Sequence, residues 1–281
     1  MRKVCLLIVT ALLSSLASSL VLVAPSAAAS ATCDTRIGTG PTSAAFATTT
    51  VWLAGDSTMA NPSATCPVGW GTEFDSLFHS NIVVNNLAVG GRSIQTWLYE
   101  GNVTSTIGPD GECALSSTAY SSRWQQVLTG MKAGDYLFIQ FGINDGSTTC
   151  PRHVGTARYQ QLMTMMAQTA LARGAHPVLL TAVAAITCSG STAVKNRGFV
   201  TQTFAAGSAT GSPVIDLQSL SVAYYNSLGL CPNNGDYTSG PVGQFFCNDH
   251  THFEAYGARR IARLVTGALR TQNIPLAGSL L

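Results

Sequence analysis

Two short polar stretches of this sequence contain side chains that could carry out nucleophilic catalysis. Ser57 lies in the segment GDST, directly after an apolar run, and the segment DHTH (249–252) lies near the C-terminus. A serine hydroxyl is a weak nucleophile until a base removes its proton, and His252 could be that base. Asp249 could accept a hydrogen bond from one ring nitrogen of His252, which leaves the other nitrogen free for Ser57. Ser57, Asp249 and His252 are therefore the candidate catalytic residues.

Two further stretches could supply the N–H donors that acyl transfer needs around a developing oxyanion. They are AVGGRS (88–93) and GINDG (142–146). Glycine lets the backbone approach a ligand closely, so the Gly91 N–H suits this role. The side-chain amide of Asn144 offers a second donor and the Ser57 N–H a third. We therefore predict an oxyanion hole formed by Ser57, Gly91 and Asn144.

Two charged residues next to these groups are assigned to substrate binding. Arg92 follows the donor glycine, and its guanidinium could bind a uronate carboxylate through two hydrogen bonds. A structural ion pair is the alternative for Arg92. Asp56 directly precedes Ser57. His250 and His252 with Asp249 could instead bind a metal ion, but no further ligand is evident, so we predict no metal site.

The elements that must position these groups alternate between strands and helices. Strands are predicted at 50–54, 82–87, 135–141, 176–183 and 213–217 from their apolar, β-branched and aromatic residues. Helices are predicted at 122–131, 156–173, 192–206, 218–228 and 253–271. This alternation favours a doubly wound, mostly parallel α/β sheet. Ligands bind at the carboxyl ends of such strands, and three of the polar stretches lie there.

The segments GDST, AVGGRS, FGINDG and DHTHF, in this order, resemble the four sequence blocks of the SGNH (GDSL-type) hydrolase superfamily. The variants LAGDSTMA and GGRS are similar to the rhamnogalacturonan acetylesterase group of carbohydrate esterases. The resemblance implies a three-layer α/β/α, flavodoxin-like fold without a metal or other cofactor.

The resemblance implies the same roles for the residues already singled out. Ser57 matches the nucleophile of the first block, Gly91 and Asn144 match the donors of the second and third, and Asp249 and His252 match the fourth. One position departs from the group, since its members often have histidine where this chain has Ile143. The segment 102–120 matches nothing in the group and is expected to form a lid or a rim.

The N-terminus predicts export. Arg2 and Lys3 precede a long apolar stretch with small residues at its end, so we assign residues 1–31 to a signal peptide and 32–281 to a single SGNH hydrolase domain. A membrane anchor is the alternative for the apolar stretch. Loss of Arg2 and Lys3 lowers the Lys+Arg count from 15 to 13, equal to the 13 Asp+Glu. A near-neutral chain argues against nucleic acid or an anionic membrane as partner.

The chain contains eight cysteines, of which Cys5 lies in the predicted signal peptide. Seven remain, and an exported protein is expected to pair most of them. Cys231 with Cys247 is the expected local pair, because the two bracket a Gly/Asn/Pro-rich loop next to Asp249. The other pairings cannot be derived from the sequence.

Together these features predict a secreted, monomeric serine esterase that removes acetyl groups from plant cell-wall polysaccharide, with pectic rhamnogalacturonan as the expected polymer. Alternatives on the same residues are an acetylxylan esterase, a short-chain lipid esterase and a carbohydrate O-acetyltransferase. A noncatalytic carbohydrate-binding protein is a further alternative.

Overall fold

The computed structural model describes residues 48–281. The predicted signal peptide and Cys33 lie outside these residues. The strands are β1 (Thr49–Gly55), β2 (Ile82–Asn86), β3 (Val103–Ile107), β4 (Cys113–Leu115), β5 (Tyr136–Gln140), β6 (His176–Leu180), β7 (Cys188–Ser189), β8 (Thr192–Ala193) and β9 (Val214–Ile215).

The helices are α1 (Trp70–Phe74), α2 (Ile94–Leu98), α3 (Ser122–Gly130), α4 (Thr156–Ala172), α5 (Val200–Thr210), α6 (Leu217–Ser227), α7 (Gly240–Phe245) and α8 (Ala255–Thr271). Short 3₁₀ turns lie at Asp75–Leu77, Asn144–Gly146 and Pro275–Ser279. Across residues 48–281, no helix combines the length and the apolar character that a bilayer span requires.

Five strands form the central sheet in the order β2-β1-β5-β6-β9, and each neighbouring pair is parallel. These are the five strands predicted from the sequence, so the expected parallel α/β sheet is confirmed. The chain leaves β1 toward β2 on one side and returns to β5 on the other. The carboxyl ends of β1 and β5 therefore form a topological switch point, where open α/β sheets bind ligands.

Alternation of side chains along β1 divides the core between the two faces of the sheet. Val51 and Leu53 belong to one buried cluster, and Trp52 and Ala54 belong to the other. Helices α1, α6, α7 and α8 pack in the first cluster, and α2 to α5 pack in the second. Because successive residues of a strand point to opposite faces, one sheet holds two helical layers. The three-layer α/β/α arrangement is thus confirmed.

One predicted helix is partly wrong. The segment 192–206 was expected to be helical throughout, but Thr192–Ala193 pairs with Cys188–Ser189 in an antiparallel hairpin. The helix begins only at Val200. Phe199 has a φ of 62°, and a residue in this left-handed conformation interrupts a right-handed helix.

Three disulfides join the described cysteines, and they contradict the expected Cys231–Cys247 pair. The bonds are Cys66–Cys247, Cys113–Cys150 and Cys188–Cys231. The Sγ atoms of Cys66 and Cys247 both lie beside the backbone carbonyl oxygen of Phe253, at 3.6 and 3.2 Å. Proximity in sequence was therefore a poor guide, since the fold brings the loop after β1 against the segment before α8.

Candidate active site

Ser57 lies on the turn that follows β1, at the switch point of the sheet. The turn is closed by hydrogen bonds from the Met59 and Ala60 N–H groups to the Asp56 carbonyl. Its start requires glycine, because a Cβ on Gly55 would lie 2.8 Å from the Met59 sulfur and 2.9 Å from a backbone oxygen of β5. This tight turn leaves Ser57 partly exposed. The hydroxyl oxygen of Ser57 lies 2.9 Å from Nε2 of His252.

His252 is held by Asp249 through two contacts. The Asp249 Oδ2 lies 2.8 Å from the His252 Nδ1, and Oδ1 accepts the His252 backbone N–H at 2.7 Å. Oδ1 also accepts the Thr251 N–H at 2.7 Å. Partial burial raises the pKa of Asp249, but these hydrogen bonds outweigh it and the net shift is downward. An ionised Asp249 would stabilise an imidazolium at His252.

The predicted oxyanion donors lie on two neighbouring turns. A Cβ on Gly90 would lie 3.6 Å from the Ser57 Cβ, so the turn after β2 runs alongside Ser57. Gly91 has a φ of 74°, a conformation that favours glycine. On the second turn, one N–H of the Asn144 amide donates to the Arg92 carbonyl at 3.1 Å. The other N–H of that amide remains for a substrate oxygen.

Asp145 connects these two turns, a role that the sequence interpretation missed. Its Oδ1 accepts the Ile94 N–H at the start of α2, and its Oδ2 accepts the Gly142 N–H, each at 2.8 Å. The side chain is fully buried, and burial raises its pKa to about 7. Asp145 thereby fixes Asn144 relative to the turn that carries Gly91. Its position after a predicted donor was visible in the sequence, but its two partners were not.

Arg197 contacts the loop that carries Asp249 and His252. The sequence interpretation did not predict this role. The Nη2 of Arg197 donates to the Thr251 Oγ1 at 3.2 Å, and its Nε donates to the Val183 carbonyl at 3.1 Å. Burial raises the pKa of Asp56, and the hydrogen bonds from Thr58 and the positive charge of Arg197 only partly offset this effect. Arg197 lies more than fifty residues before the loop that it contacts, so no local motif identifies it.

The structure does not place Asp56 where a substrate could contact it, which corrects the sequence-based assignment. The side chain is fully buried. Its Oδ1 accepts the backbone N–H and the hydroxyl of Thr58, at 2.9 and 2.8 Å. The Thr58 hydroxyl in turn accepts a hydrogen bond from Gln140. Asp56 therefore belongs to a buried polar network that supports the turn of Ser57.

Arg92 forms the ion pair that was the alternative to substrate binding. Its Nε donates to the Glu100 Oε1 at 2.9 Å, and its Nη2 contacts the same oxygen. The guanidinium of Arg123 pairs with the second oxygen of Glu100. The Arg92 side chain nevertheless keeps about a third of its surface exposed and borders a cleft.

Two open cavities border the site. One, of about 310 Å³, lies beside the oxyanion donors and is lined by Gly91, Arg92, Thr96, Glu100, Gly101, Val103, Pro151 and Arg152. The other, of about 530 Å³, lies beside the His252 loop, and half of its lining residues are polar, including Asn233, Asn234, Tyr237 and His250. Val103 places the start of the segment 102–120 at the rim of the first cavity, and the strands β3 and β4 of this segment form a hairpin.

No protein-family model matches this chain. A rhamnogalacturonan acetylesterase of Bacillus subtilis strain 168 is 30% identical over 240 residues, which cover 80% of this chain and 91% of that protein. The chain belongs to the rhamnogalacturonan acetylesterase family. A second rhamnogalacturonan acetylesterase, from Emericella nidulans, is 27% identical over 251 residues, covering 81% of this chain and 87% of the relative.

Solved structures show that the fold of this chain recurs in known proteins. The YxiM protein of Bacillus subtilis superposes with a TM-score of 0.64 at 26% identity over 80% of this chain, which spans 57% of that protein. An acetylxylan esterase of Geobacillus stearothermophilus superposes with a TM-score of 0.50 at 15% identity, covering 79% of this chain and 93% of its own, and shows the common fold. The chain is accordingly a carboxylic ester hydrolase.

Proposed function

We propose that this chain is an exported serine esterase that releases acetyl groups from a plant cell-wall polysaccharide, most specifically from rhamnogalacturonan. The observation that carries the proposal is the continuous set of contacts from Ser57 through His252 to Asp249, at 2.9 and 2.8 Å. The acetylesterase relatives support the substrate. Three disulfides within residues 48–281 and the apolar N-terminal segment support export.

The proposed reaction proceeds through an acetyl-serine intermediate. The Ser57 Oγ attacks the acetyl carbonyl carbon while His252 Nε2 takes the hydroxyl proton. The N–H groups of Ser57 and Gly91 and the Asn144 amide stabilise the oxyanion. His252 then gives its proton to the sugar oxygen as the C–O bond breaks. Water attacks the acetyl-serine, His252 takes a proton from it, and acetate leaves as the Ser57 hydroxyl reforms.

The surroundings of Ser57 favour a carbohydrate over a lipid substrate. Both neighbouring cavities are open, and about half of the residues that line them are polar or charged. Long acyl chains are bound where apolar side chains enclose them, because burial of apolar surface provides the affinity. Sugars instead require hydrogen-bonding side chains such as Asn234, Thr96 and Arg152, which border these cavities.

The test is release of acetate by residues 32–281 from acetylated rhamnogalacturonan and from acetylated xylan, with Ser57→Ala measured alongside. Ser57→Ala is expected to lower kcat by about 10⁴-fold or more, because no other nucleophile replaces the hydroxyl. Ser80→Ala, which changes an exposed serine outside the site, serves as the matched control and is expected to retain full activity.

Acetate release from rhamnogalacturonan, lost in Ser57→Ala, supports the proposal. Release from xylan alone would keep the mechanism and change the polymer. Transfer of acetyl to an added sugar in place of water would indicate an acetyltransferase. Full activity in a folded Ser57→Ala protein would contradict the nucleophile.

A further inference from the structure

The cleft beside the oxyanion donors has a positive charge that the reaction itself does not use. Three arginines lie at or behind it, Arg92, Arg123 and Arg152, and Glu100 is the carboxylate among its lining residues. The proximity of Arg92 contributes to a lowered pKa of Arg123, after the larger effect of burial. Positively charged side chains thus outnumber carboxylates at this cleft, and the excess positive charge favours an anionic ligand.

Among these arginines, Arg152 is the one without a carboxylate partner. Arg92 and Arg123 share Glu100. Within residues 48–281, Arg152 is in no ion pair, and its side-chain contact is a long 3.4 Å hydrogen bond from Nη1 to the Asn144 Oδ1. That contact places its guanidinium next to a predicted oxyanion donor. A carboxylate bound there would lie close to the ester under attack.

The loop that carries Arg152 is fixed before any ligand binds. Cys150, two residues earlier, is bonded to Cys113 at the hairpin of β3 and β4. His153, the next residue, holds the Ser147 carbonyl through its Nδ1 at 2.7 Å, and the Val154 N–H donates to the Asp145 carbonyl. Because the backbone of this loop is held in place, binding of a ligand would order only the exposed side chain of Arg152, which limits the entropic cost of binding.

We infer that Arg152 is a specificity-determining residue that binds a uronate carboxylate, on the acetylated sugar or on its neighbour in the chain. A guanidinium matches a carboxylate with two parallel N–H···O bonds, and Arg92 borders the same cleft. This inference rests on the proposed function, since it assumes a polysaccharide ester as substrate. It adds the residue that would recognise the acidic sugar of that polymer.

The test compares Arg152→Gln and Arg152→Lys with the unmodified enzyme on three substrates. These are acetylated rhamnogalacturonan oligosaccharides, the same oligosaccharides with their carboxyl groups reduced to alcohols, and 4-nitrophenyl acetate. Arg263→Gln is the matched control, because Arg263 is an exposed arginine of α8 that borders a different groove.

For Arg152→Gln, kcat/KM on the acidic oligosaccharides is expected to fall about tenfold, mostly through KM, because a charge-assisted bidentate contact is lost. The loss on the reduced oligosaccharides and on the small ester should stay below about threefold. Lysine should restore part of the loss on the acidic substrate. Added salt should raise KM for the acidic substrate less in Arg152→Gln than in the unmodified enzyme. An equal loss on all three substrates would mean that Arg152 only positions Asn144, and no loss on the acidic substrate would also overturn the inference.

A binding measurement separates failure of this inference from failure of the proposed function. Deacetylated rhamnogalacturonan oligosaccharides are tested as inhibitors of 4-nitrophenyl acetate hydrolysis, which needs no activity on the polymer. Inhibition that weakens about tenfold in Arg152→Gln supports the carboxylate site even if the polymer proves a poor substrate. Absence of inhibition in the unmodified enzyme, or equal inhibition in both proteins, overturns it.

Discussion

At the scale of the residue, the proposed chemistry depends on side chains that never touch the substrate. Asp145 is fully buried and accepts one backbone N–H from each of the two turns that carry Gly91 and Asn144. Donors for an oxyanion act only when they are held at the right place before the charge develops. Asp145 is therefore a positioning residue for both donors at once.

Asp145→Asn tests this role. An amide has one acceptor oxygen, so either the Ile94 or the Gly142 N–H would lose its partner in the interior. We expect a loss of about 1–3 kcal/mol in the free energy of unfolding. The kcat on 4-nitrophenyl acetate should fall about tenfold, because the oxyanion donors shift. Urea denaturation and initial rates measure both effects.

The pH dependence of Asp145→Asn gives a further check. Burial raises the pKa of Asp145 to about 7, so its contribution to stability is complete in acid and is lost as the pH rises through that value. The deficit of Asp145→Asn should accordingly be larger at about pH 5 than at about pH 8. A deficit that stays constant with pH, or one as small as that of the exposed control Asp110→Asn, would argue against this account.

The sequence alone predicted the three candidate catalytic residues because each of them lies in a recognisable motif. Ser57 follows a strand, and Asp249 with His252 precedes the last helix. Asp145 and Arg197 were missed for a physical reason. For each of them, one partner is a backbone or hydroxyl group that folding brings near from more than fifty residues away in the chain. Asp56 was misassigned because adjacency to a nucleophile does not fix the direction in which a side chain points.

At the scale of the element, the sheet could be predicted and the short irregular segments could not. Apolar runs of β-branched and aromatic residues identified all five strands of the sheet, since burial on both faces leaves a continuous apolar pattern. The hairpin of β7 and β8 has only two residues in each strand. Such a short pair has no periodicity to detect, and a disulfide from Cys188 to Cys231 holds the segment in place. The helix predicted over 192–206 is therefore wrong over this hairpin.

The pairing of β1 with β5 depends on one buried carboxylate. Asp135, fully buried just before β5, accepts the Thr50 N–H at 2.9 Å and the Trp52 indole N–H at 3.2 Å. It also accepts the Lys132 N–H and pairs with the Lys132 ammonium group. Burial raises the pKa of Asp135, but these donors together lower it below its usual value. The carboxylate form is therefore the one that stabilises the start of both strands.

Asp135→Asn is expected to reduce the free energy of unfolding by about 1–3 kcal/mol near neutral pH, because the buried side chain loses its charge and one acceptor, while its partner Lys132 remains half exposed. A lowered pKa makes this stabilisation present above the ordinary aspartate range and lost as the pH falls below it. The difference between the two proteins should shrink below about pH 3.5. Urea denaturation at both pH values measures it, with Asp110→Asn as control. An equal difference at both pH values would contradict the role of the ionised form.

At the scale of the whole molecule, the disulfides connect the segments that carry the site. Cys66–Cys247 joins residues 181 positions apart and links the loop after Ser57 to the segment before Asp249. The Cys247 N–H also donates to the His252 carbonyl at 2.8 Å. Cys188–Cys231 joins residues only 43 positions apart, at the border of the cavity beside His250. The first bond thus constrains both the chain as a whole and the approach of Ser57 to His252.

Replacement of the two pairs by serine should have different effects. A disulfide that closes a longer loop restricts the unfolded chain more. We therefore expect the double variant Cys66→Ser with Cys247→Ser to lose about 5 kcal/mol in the free energy of unfolding. The double variant Cys188→Ser with Cys231→Ser should lose about 4 kcal/mol. Only the first double variant should also lower kcat on 4-nitrophenyl acetate, by about tenfold, because a small misplacement of His252 weakens proton transfer from Ser57. Thermal unfolding and initial rates on the folded proteins, measured well below the lower Tm, separate the two effects. If both variants lost stability but kept the same kcat, the Cys66–Cys247 bond would stabilise the fold without positioning the base, and Asp249 alone would account for the orientation of His252.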